Sequence, residues 1–231
     1  MVNLPTVPGD VLAGAAAAIC AAARAGAIDD GRIDAAIRAA FLASLASAFF
    51  YLFGLADNDI VGAKTDRDRP IPDGEISLAA ARIARGLCLL AALVVGAVGD
   101  LPPEWWIVAL ALVLTAVVYN RTKFFFFMGL CRGLDVCCGA ALVYGTCGPS
   151  LEALAVAVVW TLAVAAVTKY SEGEETDPAK KRFVGMLVGA IIYLQLAVLL
   201  TFQVRPFLLA GAGLLVLLRL LKSRLPEVSA S

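Results

Sequence analysis

Apolar positions along this chain gather into long runs, near residues 11–28, 34–56, 77–98, 104–119, 125–146, 151–169, 183–203 and 206–222, with polar breaks between them. About 20 helical residues cross a hydrocarbon layer about 30 Å thick, so each run predicts a membrane-spanning helix, about eight in all. The first run is alanine-rich and interrupted by Arg24, and the fourth is short for a span. Punctuation supports the breaks. Asp100-Leu101-Pro102-Pro103-Glu104 and Cys147-Gly148-Pro149-Ser150 read as tight turns, and Asp177-Pro178 as an N-cap with proline at the first helical position.

Composition agrees with this pattern. The 231 residues are 61% hydrophobic with a mean hydropathy of +0.87, well above the roughly 45–50% apolar content of soluble domains. The fold class is therefore an all-α integral membrane protein, one multi-helix bundle over residues 1–231. Histidine is absent, which removes imidazole metal sites and histidine bases from consideration. The six cysteines, Cys20, Cys88, Cys131, Cys137, Cys138 and Cys147, lie in or at the ends of apolar runs without a CxxC pair and read as small buried hydrophobes. Met1–Asp10 lacks the basic region of a signal peptide and predicts no cleaved leader.

Net charge is zero, so charge must be counted by side of the membrane. Threading eight spans places the loops after the second, fourth and sixth, together with the carboxyl tail, on one face. That face collects Lys64, Arg67, Arg69, Arg121, Lys123, Lys169 and Lys180–Arg182, whereas the opposite turns hold little beyond Arg32 and Arg205. The positive-inside rule makes it cytoplasmic, and the plasma (inner) membrane is the expected location. No nucleic-acid partner is expected.

The same face carries two acidic loops, residues 57–76 and 170–182. If the second helix continues into the first loop, Asn58, Gly62 and Asp66 recur every four residues along one helical face, with Asp59 beside it. Tyr170 and Glu174 share that spacing in the second loop. Two acidic rims over one cavity mouth suit a divalent cation. Carboxylates are hard ligands for Mg²⁺, which often bridges to substrate phosphates. Lys64, Arg67, Arg69, Arg121, Lys123 and the intramembrane Arg132 would then neutralise a diphosphate, and the apolar cavity would take a lipid tail. For Arg132 a second reading stands open, an ion pair with Asp135 one helical turn away.

Asn58-Asp59, Asp66 and the run Arg69-Pro70-Ile71-Pro72-Asp73-Gly74-Glu75-Ile76-Ser77 resemble the NDxxDxxxD and RPIPSGxIS elements of the UbiA superfamily of intramembrane prenyltransferases. Lys169-Tyr170-Ser171-Glu172-Gly173-Glu174 is similar to that superfamily's RDxEGD segment. Met128–Asp135 and that second segment look more like the EboC-type UbiA-like proteins than like the quinone or haem enzymes of the superfamily. The resemblance implies a bundle of usually nine helices that uses Mg²⁺ to bind a prenyl diphosphate and transfers the prenyl group to an aromatic or lipid acceptor. It implies catalytic roles for Asn58, Asp59, Asp66 and Glu174, with Asn58, Asp66 and Glu174 as metal ligands. Gly62 stands where the first motif has an aspartate, and Tyr170 where the second has one. A catalytically degenerate relative that binds a prenyl or other lipid ligand, or scaffolds a pathway, is the alternative.

Overall fold

The computed structural model describes residues 6–63, 71–147, 150–172 and 178–224. Its elements are α1 (Thr6–Arg24), α2 (Asp30–Gly62), α3 (Leu78–Val98), α4 (Pro103–Thr122), α5 (Phe125–Ala140), a 3₁₀ turn (Ala141–Val143), α6 (Tyr144–Cys147), α7 (Leu151–Ser171), α8 (Pro178–Phe202) and α9 (Arg205–Arg224). All but α6 are long, one helix for each of the eight apolar runs. Among the described residues six helices are long and apolar enough to cross a membrane.

Local chemistry fixes the helix starts. Asp29 accepts a hydrogen bond from the Arg32 amide at 2.9 Å, Ser77 from the Ala80 amide at 3.1 Å and Ser150 from the Ala153 amide at 3.1 Å. Each satisfies one of the amides that a first helical turn leaves without a partner. Pro103 opens α4, where its missing N–H costs nothing. The boundaries differ from the hydropathy runs in three places. First, α1 starts at Thr6 and stops at Arg24 instead of reaching 28, because Gly26 turns the chain at φ 64°. Second, α2 continues past residue 56 to Gly62, through the polar patch. Third, α4, short by hydropathy, has 20 residues and is long enough to span.

Packing is uneven. Helix α1 is the internal one: 14 of its 19 residues are buried, and it contacts α2, α5, α7, α8 and α9. Small residues permit that position. A Cβ at Gly14 would stand 1.9 Å from the Val136 carbonyl oxygen, and one at Gly139 would stand 1.9 Å from that of Val11, so α1 and α5 meet backbone to backbone. Helix α3 is peripheral. It lies along α2 and presents Ile83, Leu87, Leu90 and Val98 outward, as a lipid-facing helix does. Lipid contact accounts for these exposed apolar side chains, which in water would mark an interface.

Candidate functional site at the mouth of the bundle

The ends of α2, α4 and α7 and the starts of α3, α5 and α8 share one end of the bundle, called here the motif end. Because α2 remains helical to Gly62, successive side chains turn by about 100°, and neighbours in sequence face different partners. Asp57 faces inward and is 1% exposed. Its carboxylate accepts from Arg85 Nη1 of α3 at 2.9 Å and from Asn120 Nδ2 of α4 at 3.0 Å, and Arg121 Nη1 stands 3.8 Å away. Asn120 also donates to the Gly54 carbonyl at 3.0 Å. One buried carboxylate thus joins three helices. The next residue, Asn58, is half-buried and accepts a hydrogen bond from Lys123 Nζ.

Lys123 adopts φ 54° at the carboxyl cap of α4 and lies over the Tyr119 ring at 5.7 Å. The turn it forms starts α5, where Phe124 and Phe125 pack at 4.8 Å between ring centres. Lys169 of α7 lies 5.4 Å over Phe125 and pairs with Glu172 at 2.7 Å. Lys180 of α8 donates to the Glu172 carbonyl at 2.5 Å and lies 5.3 Å over Tyr170, whose ring meets Phe183 edge-on at 5.6 Å. A continuous series of cations and rings therefore runs along the mouth from the first acidic element to the second. Tyr170 is a packing residue in this series, bridging α7 and α8.

Of the residues expected at the site, Asn58, Arg121 and Lys123 are brought together, with Asp59 beside them on α2. Lys64, Asp66, Arg67, Arg69 and Glu174 lie outside the described residues, with residues 64–70 of the first acidic loop and 173–177 of the second. Arg132 lies elsewhere. It is 7% exposed in the interior, roughly 10 Å along α5 from the motif end, with its Nε 2.7 Å from Asp10 and its Nη2 donating to Thr6 Oγ1 at 2.9 Å. The expected partner Asp135 instead accepts from Ser47 of α2. Asp10 also accepts from Trp160 Nε1 at 2.7 Å and from Gln195 Nε2. The pairing compensates both charges away from water, as buried ions in lipid require.

Sequence reasoning missed Asp57, Arg85 and Asn120 at the mouth and Asp10, Gln195 and Trp160 in the interior. Charged residues inside apolar runs were the available signal, since Arg85 interrupts the third run. Among the described residues no three acidic or cysteine side chains converge as a metal site. Asp57 is held by arginines and Glu172 by lysine. The donor types at the mouth, amide and carboxylate oxygens at a helix carboxyl end, do suit a hard cation such as Mg²⁺.

No protein-family model matches the sequence, and no curated protein does. Among solved structures, a UbiA homolog from Archaeoglobus fulgidus is similar over 96% of this chain and 84% of its own, with a TM-score of 0.53 and 20% sequence identity. The long helices and their order along the chain thus form a membrane bundle with the fold of a UbiA homolog.

Proposed function

We propose that this protein is a UbiA-like membrane prenyltransferase that binds a prenyl diphosphate at the motif end and transfers the prenyl group to an aromatic or lipid acceptor. The observation that carries the reading is the juxtaposition at that mouth. Asn58 meets Lys123, and Arg121 and Arg85 stand at Asp57, all at one end of an apolar bundle with the fold of a UbiA homolog. Asn58, Asp66 and Glu174 would hold Mg²⁺, which when bound supplies positive charge to a diphosphate. The chain's own cations do the rest. Arg121 and Lys123, with Lys64, Arg67 and Arg69, hold the diphosphate oxygens and stabilise the charge that builds on them as the allylic C–O bond breaks. The bonding electrons leave with the diphosphate. The acceptor then forms the new bond to the allylic carbon and gives up its displaced proton to water at the open mouth, with Asp59 on the same helix end, and the motif end faces the cytoplasm.

Purified protein in lipid nanodiscs with labelled prenyl diphosphate, Mg²⁺ and a pool of aromatic and lipid acceptors tests this. Diphosphate release well above that of an Asp66→Ala variant is the expected result, and equal release by both proteins removes the reading. One observation favours a non-catalytic lipid-binding relative instead. Tyr170 is committed to Phe183 and Lys180, so that position supplies an aromatic wall where a carboxylate would serve a metal. Prenyl diphosphate binding that is indifferent to Mg²⁺, without turnover, identifies that case.

A further inference from the structure

We infer that Arg85 of α3, with Arg121 of α4, forms a preassembled clamp for the phosphate headgroup of a lipid ligand, and that Asp57 is the residue that positions it. The inference rests on the prenyl diphosphate reading above and adds a helix to it. Arg85 belongs to neither acidic loop and lies within the third apolar run.

Three observations converge. The Asp57 side chain is only 2% exposed while that of Arg85 is 37% and that of Arg121 55% exposed, so the carboxylate is inside and the guanidinium groups reach the mouth. A guanidinium has five N–H donors in a fixed plane; Arg85 Nη1 donates to Asp57 at 2.9 Å, while Arg121 Nη1 donates to the Val117 carbonyl at 2.8 Å and stands 3.8 Å from Asp57, which leaves donors on both for a second anion. Two arginines are set against the one Asp57 carboxylate, and Lys123 stands at the same edge, donating to Asn58. Holding both guanidinium groups before the ligand arrives reduces the side-chain ordering that binding would otherwise cost. The burial of Asp57 means that it acts through the arginines and does not touch the ligand.

Geranylgeranyl diphosphate and geranylgeraniol, compared for binding to the full-length protein in detergent with Mg²⁺ present, test the clamp. Arg85→Gln is expected to weaken diphosphate binding by about tenfold, the loss of a charge-assisted contact, and to leave binding of the alcohol unchanged. Arg85→Lys should fall between, since it keeps the charge and loses the planar fork. Asp57→Asn should weaken diphosphate binding through disordered arginines. If that variant does not fold, the half-exposed Arg85 series still decides. Diphosphate affinity unchanged in Arg85→Gln, or lost equally for diphosphate and alcohol, overturns the clamp while the transferase reading survives on diphosphate release. Failure of the unaltered protein to bind the diphosphate removes both.

Discussion

Two arginine–carboxylate pairs stand in this bundle, and they differ in what surrounds them. In the interior, Arg132 and Asp10 have side chains 8% and 0% exposed, and Thr6, Trp160 and Gln195 hydrogen-bond to them. At the mouth, Asp57 is as buried as Asp10, but its arginines are open to the membrane surface. An intramembrane charge by itself therefore says little about function. A closed pair fixes helices against one another, whereas a pair with one exposed side can also receive a ligand.

The largest expected effect that would break this comparison lies in the interior. Arg132→Met leaves Asp10 as an uncompensated buried carboxylate and should destabilise the detergent-solubilised protein by about 3–5 kcal/mol in a denaturant titration. The double variant Asp10→Leu with Arg132→Met should recover much of that, because an apolar pair avoids the desolvation of both ions. If the single variant is as stable as the original, the interior pair is not structural and the contrast fails.

Next comes the contact that lets α1 sit inside. Gly139→Ala places a methyl against the Val11 carbonyl, a backbone atom that cannot rotate away, and should cost about 3 kcal/mol in the same titration. Asp57→Asn should cost less, about 2 kcal/mol, since the arginines it releases can reach water. A loss at Asp57 as large as that at Arg132 would show that the mouth is as closed as the interior. The smallest effect belongs to the exposed pair Lys169–Glu172. Lys169→Gln should change stability by about 0.5 kcal/mol or less, and salt should diminish even that.

The helices were legible because they follow from local quantities. Hydropathy defines a span, and Ser77, Pro103 and Ser150 announce the starts that the structure shows. The acidic patch was legible as a mouth because its composition changes abruptly at the end of an apolar run. Arg132 was not legible in the same way. Its neighbour at three residues, Asp135, was the local expectation, but the partner it takes is 122 positions away on α1, at a distance set by glycine contacts that only the folded bundle reveals. Asp57 shows a second limit. Standing one residue from Asn58, it reads as part of the same patch, yet one residue along a helix is about 100° of rotation, enough to turn it from the mouth to the interior. Arg85 then becomes a site candidate only through Asp57.

The central place of α1 also bears on how the chain is assembled. Synthesis delivers α1 to the bilayer before α5, α7 and α8 exist, yet Arg132, Trp160 and Gln195 on those helices are the groups that complete Asp10. Until then Asp10 lacks its counter-charge, and the small residues of α1 face lipid in place of protein. Helix α1, made before these partners, is thus finished only after them, and loss of the α8 segment should be felt strongly at α1.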